Sequence, residues 1–417
     1  MKKILINLAI VVNLLLTIVS SLKAEDNKIL IIVNSGIYSS ISSSIASFKA
    51  KLSAEGYNVF EIKSWVKTKK GDGIAAADIR KYIKDRKEGL KGVILIGNLP
   101  YAKFKKSASS IFSTDLFYMD LDGDWTLNGN YYTAHSGNTN PEIWVSRLTA
   151  NTISGSSESV FLKNYFNKNI NYRSQGLASN GKGLSYSDKR PSLSKLFGSA
   201  KADSISNKTK YKEKYKENYG LLHFAGTGSS NCKTITFASG GTADKTSAKE
   251  SKSLFYNLLD VSKIGSFKQS NYLSGHYLFN NDYCLAVLAN SSSNRPSFSS
   301  DETLYNSLYA DGDGTKPLGD AFLAWLKENL STSNYGLLIL GDGTLTMAEV
   351  LNDGSSTGSI ASADSINSQA DQAVAGIISS DSDTTAPSGS ISINSGTSAY
   401  TKSTTVTLTL SAQDDAE

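Results

Sequence analysis

The chain of 417 residues is long enough for two core-forming units with extensions, and its formal charge of +5 shrinks on inspection. Lys2, Lys3 and Lys23 supply three of those charges within the first 24 residues, leaving +2 for the rest, so charge gives no reason to expect nucleic acid as a partner. Two cysteines, Cys232 and Cys284, exclude a disulfide scaffold, and the fold must rest on its apolar core.

Residues 1–24 have the three parts of a secretory signal. Two lysines precede an apolar core from Ile4 to Val19, and a short polar stretch ends at Ala24. The core is short for a membrane span, so the expectation is export with cleavage near Ala24 and no stable span afterwards, an uncleaved anchor being the rival.

Lys28 to Val33 is an apolar run of strand length, and Ile41, Ile45, Phe48 and Leu52 follow at helical spacing up to Gly56. Tyr57 to Trp65 predicts a second strand, Ile74 to Arg86 a helix, and Gly92 to Ile96 a third strand. Continuous rather than alternating apolar runs point to a parallel sheet covered on both faces. The stretch STDLFYMDLDGDW, residues 113–125, carries Asp120, Asp122 and Asp124 on a turn-rich segment, a set that suits calcium in a structural role. Its glycine falls at the wrong position for an EF-hand, and aspartate and glycine also build ordinary turns. Pro141 to Leu148 predicts a further strand, and Val160 to Tyr172 a helix linking two units. The basic run Lys208 to Lys216 reads as a solvated helix face.

Leu221 to Ala225 is a strand that stops at Gly226-Thr227-Gly228, presenting Thr227 at the carboxyl edge where open α/β sheets keep their chemistry. Cys284 to Ala289 is its buried partner, running into Ser291, Ser292 and Ser293. Lys316 to Leu330 predicts a core helix with Leu318, Phe322, Trp325 and Leu326 on one face, and Tyr335 to Leu340 a last strand. Residues 354–386 read as a linker, and residues 387–417 as the start of an Ig-like β-sandwich module.

Taken together, the segments VILIGNLP, STDLFYMDLDGDW, PEIWVSRL, FAGTGSS before ANSSSN, and KPLGDAFLAW with LGDGTL resemble the gingipain-type cysteine peptidases, a branch of the caspase-like superfamily. The resemblance spans about Lys28 to Met347. It implies two adjacent doubly wound caspase-like α/β units, residues 25–175 and 176–353, with the catalytic positions in the second. It also implies a bacterial protein that is secreted or held at the cell surface. In the family the first of these strands ends in Gly-His-Gly and the second in a cysteine, forming a dyad with backbone N–H groups holding the oxyanion. Here Thr227 stands in the histidine slot, with Gly228 in the oxyanion-side turn. Ser292 is the best match to the cysteine slot, Ser291 and Ser293 being its neighbours. Gly343 and Ser146 depart from the family's Pro and Gly, which troubles the fold little.

A hydroxyl needs a neighbouring base to become a nucleophile, and threonine is no base. Cys284 lies eight residues back in its strand, roughly 26 Å from the edge, and His223 four residues back, roughly 13 Å, so both read as core residues. Cys232 lies five residues past Thr227 with no base visible beside it, and His135 and His276 sit in loops. The expectation is an exported peptidase-fold protein with a decayed dyad that binds a protein or peptide ligand. The rivals are an active endopeptidase with a relocated nucleophile, Cys232 with His223 or His276, and an adhesin whose function lies in the tail.

Overall fold

The architecture follows from ten strands, the central ones buried on both faces. In the computed structural model they are β1 (Lys28–Asn34), β2 (Asn58–Trp65), β3 (Leu90–Ile96), β4 (Trp144–Leu148), β5 (Gly183–Tyr186), β6 (Ala202–Ile205), β7 (Leu221–Phe224), β8 (Phe255–Leu258), β9 (Ala286–Asn290) and β10 (Leu337–Gly341). The structure describes residues 27–66, 71–175, 179–186, 193–237, 241–294, 300–308, 314–351, 388–393 and 408–413. The signal segment and the linker expected from the sequence lie outside these residues.

The strands form one continuous sheet in the order β6-β5-β7-β8-β9-β10-β4-β3-β1-β2. The two expected α/β units therefore share a single sheet instead of holding two sheets side by side. Strands β1 to β4 pair in parallel, as do β5 to β9, and β10 runs antiparallel to β9. Ile29 to Val33 of β1 are fully buried, as a strand covered on both faces requires. The following helix, Ser35–Ala54, starts where the Asn34 side chain accepts a hydrogen bond from the Gly36 amide at 2.9 Å. It buries Ile41, Ile45, Phe48 and Leu52, the four positions that the spacing selects, and Gly56 beyond it adopts φ of 86°. The helix Leu318–Glu328 likewise buries Leu318, Phe322, Trp325 and Leu326.

Two regions differ from the sequence reading. The segment read as turns and loops between β3 and β4 is a four-stranded sheet of Ala102–Ser107, Ser110–Thr114, Asp124–Asn128 and Tyr131–Ser136. The Asn128-Gly129 turn with Trp125, Leu127 and Tyr132 around it is a hairpin signal that the carboxylates overshadow. The basic run forms the helix Lys208–Lys214, but Tyr211 and, just past its end, Tyr215 are buried against Tyr186, Phe224 and Phe237 or each other, whereas Lys210 and Lys216 are exposed.

Contacts divide the chain into residues 1–360 and residues 361–417. In the second unit, Ser388–Ile393 and Leu408–Gln413 form an antiparallel pair; the remaining residues of the expected Ig-like module lie outside the described residues. No helix among the described residues is long and apolar enough to cross a membrane.

Candidate active site

Three loops that leave the carboxyl ends of β7, β8 and β9 meet at one edge of the sheet. After β7, Gly226 bridges to Val261 in the loop after β8. A Cβ on Gly226 would lie 2.6 Å from the Thr236 carbonyl, and one on Gly228 would lie 1.9 Å from the Ser262 carbonyl. Both glycines are thus required by close backbone approach, and Thr227 between them is the side chain the turn exposes. Thr227 and Gly228 pair with Thr236 and Ile235 in a small antiparallel sheet.

The loop after β8 joins this turn to the end of β9. The Lys263 amide donates to the Ser292 carbonyl and the Gly265 amide to the Asn290 carbonyl, both at 2.8 Å. The loops after β3 and β4 reach the same place: Lys268 Nζ lies 2.6 Å from Asn98 Oδ1, and Tyr272 Oη donates to the Thr149 carbonyl. A buried ion pair, Arg147 with Asp115, stands beneath, its guanidinium 4.5 Å from the centre of the Phe267 ring.

Strand β9 ends at Asn290, two residues before Ser292, and the Asn290 amide nitrogen donates to the carbonyls of Leu259 and Asn294. Ser291 is buried, its hydroxyl donating toward the Ser113 carbonyl at 2.5 Å and the Gly336 carbonyl at 3.0 Å. Ser292 is 0% exposed, and its Oγ accepts from the Asn294 amide at 3.0 Å. Ser293 is the exposed member of the three.

Each substitute nucleophile or base has a structural occupation. Cys232, at φ of 61°, is buried, and burial pushes its thiol pKa up, with Ser266 and Lys263 partly offsetting this; no imidazole acts on it. Cys284 lies two residues before β9, not within it; it is fully buried and its thiol is pushed up to about 12 by burial. His223 sits inside β7 with Nδ1 2.7 Å from Tyr305 Oη and Nε2 3.5 Å from Asp260 Oδ2. His276 lies on the helix Leu273–Phe279, where Nδ1 meets the Asn280 amide at 2.8 Å; burial, then Lys245 and Lys233, lower its pKa. His135 belongs to the four-stranded sheet, buried between Asp120 and Tyr335 and stacked on Trp125 at 3.9 Å.

Reactivity should follow this geometry. At pH 8 a thiol titrating near 12 is ionised in about one molecule in ten thousand, so Cys284 should resist iodoacetamide until the chain unfolds, and Cys232 should react more slowly than a free thiol. Mass-spectrometric counting of alkylated cysteines, native against urea-unfolded, checks this; rapid native labelling of Cys232 would mark an activated thiol.

The acidic stretch folds differently from the expected triad. Asp120 and Asp122 come together with Glu142, their ligand atoms within 4.8 Å, whereas Asp124 opens a strand with its carboxylate toward Gly137. Asp120 is buried, Oδ1 accepting from the amides of Asp122 and Gly123 and Oδ2 meeting His135. Burial and the charges of Asp122 and Asp120 raise the Glu142 pKa, although the Leu121 amide donates to it. Glu142 stands 20 positions past Asp122, beyond a hairpin, so only the fold brings it to the aspartates.

The model of peptidase family C25 matches residues 23–348. Among solved structures, the Arg-specific cysteine proteinase gingipain R is similar at a TM-score of 0.56 and 14% identity, over 77% of this chain and 78% of that one. A second structure, described as a protease, is similar at a TM-score of 0.54 and 13% identity over the same shares. No curated protein matches.

Proposed function

The chain belongs to peptidase family C25, the gingipain family, and we propose that it is an exported member with a decayed dyad, serving as a protein- or peptide-binding surface module. The observation that carries this reading is the chemistry at the two strand ends. Thr227, an exposed residue that is no base, stands where a base would, and the Ser292 hydroxyl is buried and accepts a backbone hydrogen bond. Immobilised protein should retain peptides without cleaving them, so surface plasmon resonance together with mass spectrometry of the recovered peptides tests both halves of the statement. Recovery of cleaved peptides sinks the reading in favour of an endopeptidase with a relocated nucleophile.

The acidic cluster is a calcium site in the same reading, a structural one. Three carboxylates within 4.8 Å repel one another unless a cation neutralises them, and the raised Glu142 pKa is that repulsion together with burial. Calorimetric titration should give calcium binding that Glu142→Gln weakens and Asp124→Asn leaves intact. Absence of calcium heat with no shift in melting removes the site.

A further inference from the structure

A cleft of about 770 Å³ opens between three helices, Glu158–Gln175, Lys245–Glu250 and Leu273–Phe279, a volume that suits a small organic ligand. Phe161 and the loop ahead of its helix form one wall, Lys245 and Lys249 the second, and His276 with Asn280 the third.

Principles of spacing and hydrogen bonding set what these walls present. The Ser154 amide donates to Asn271 Oδ1 at 2.8 Å, which ties the first wall to the loop after β8, and the Phe161 ring packs near Phe279. Lys245 and Lys249 stand four residues apart on one helix and so share a face, where like charges repel. The same spacing brings His276 and Asn280 together, with Asn280 Nδ2 2.8 Å from His276 Nδ1. An amide nitrogen can only donate, so Nδ1 accepts and the neutral imidazole carries its proton on Nε2. His276 is 4% exposed, and Nε2 makes no hydrogen bond among the described residues, which leaves an almost buried N–H at the cleft wall without an acceptor.

The carboxylates around the cleft are engaged elsewhere. Glu250, which lines it, pairs with Lys216 Nζ at 3.0 Å and accepts from Tyr215 Oη, and neither of those residues lines the cleft. Asp244 Oδ1 accepts from the amides of Thr246 and Ser247, and Glu158 Oε1 from those of Ala150 and Asn151, all at 3.0 Å. Lys245 and Lys249 are exposed, and neither has a carboxylate within ion-pair distance among the described residues. Two ammonium groups without a counterion and one N–H without an acceptor, beside an aromatic ring, are the complement of a carboxylate on an apolar stem. No arginine lines the cleft, as bidentate recognition of phosphate would ask.

We propose that this cleft binds a carboxylate, carried by a peptide or by a small free acid, with Lys245, Lys249 and the His276 Nε2 proton holding its oxygens and Phe161 receiving the stem. The site stands apart from the state of the dyad, since it uses none of the residues at the ends of β7 and β9.

Isothermal calorimetry on the full chain tests it with four probes: N-acetyl-glutamate methylamide, its neutral glutamine counterpart, butyrate and inorganic phosphate. Saturable binding of the glutamate compound and none of the glutamine compound is expected. Butyrate binding as tightly as the glutamate compound, or in its place, identifies a free acid as sufficient, and binding of the glutamate compound alone identifies a peptide source. Lys245→Gln with Lys249→Gln, which alters only exposed side chains, should weaken binding at least tenfold. Ser154→Trp, which fills the cleft from an exposed position, should abolish it. His276→Phe with Asn280→Leu deletes the donor together with the amide it would orphan, and should weaken binding as well. No saturable binding of either acid, equal binding of the neutral probe, tighter binding of phosphate than of both acids, or unchanged binding in any of the three variants overturns the proposal.

Discussion

Wild-type protein should cleave no peptide library above background, and Cys232→Ala should leave that result unchanged. The reason in this reading is that the two described slot residues are hydroxyl side chains, and the nearby His223 is held inside its strand by Tyr305 and Asp260. Thr227 and Ser292 hold hydroxyls, and the Ser292 hydroxyl is already engaged by the Asn294 amide. General-base assistance alone contributes about 10²- to 10⁴-fold, and a nucleophile and base that act as a unit lose nearly everything when either is missing. The smallest edit expected to restore turnover is Thr227→His together with Ser292→Cys, each alone remaining at background. Because Ser292 is buried and Ser293 exposed, Thr227→His with Ser293→Cys is the companion variant that separates a wrong slot from a wrong idea. Clear wild-type cleavage abolished by Cys232→Ala would establish a relocated nucleophile. It would also mean that the buried thiol becomes exposed when substrate binds.

Much of this arrangement was legible because buried parallel strands leave a strong mark. Ile29 to Val33 are apolar on both faces, Leu221 to Phe224 nearly so with His223 the exception, and the glycines flanking Thr227 sit where a Cβ would meet backbone. What stayed hidden were contacts between distant segments and short, half-exposed strands. The strand Asp124–Asn128 is mostly exposed, so its composition is that of a loop, and Glu142 joins Asp120 only through the fold. The sharing of one sheet by both units was invisible as well, since β10 is apolar whichever strand it pairs with. His135 illustrates the same limit. A histidine in a glycine-rich stretch reads as a loop residue, and only the hairpin brings it against Asp120, Trp125 and Tyr335.

Removing Asp115 should be the most destabilising of the single changes considered. Asp115 follows the strand Ser110–Thr114 and meets Arg147 of β4 through Nε at 3.0 Å and Nη2 at 2.5 Å, with both side chains almost wholly buried. Asp115→Ala leaves the guanidinium buried without its carboxylate, a change that costs about 3–5 kcal/mol, whereas replacing both partners by apolar residues of similar size is close to neutral. Urea unfolding should therefore show a large loss for Asp115→Ala and recovery of most of it in Asp115→Leu with Arg147→Met. The loss should be felt first at the candidate active site. The Arg147 guanidinium lies over Phe267, and the loop carrying Phe267 places the Ser262 carbonyl against Gly228 and the Lys263 amide on Ser292. Hydrogen exchange in Asp115→Ala should accordingly quicken at residues 261–272 before it quickens in β1 and β3. A loss below about 1 kcal/mol, the range of a surface pair, would show that this ion pair is not what seats the loop.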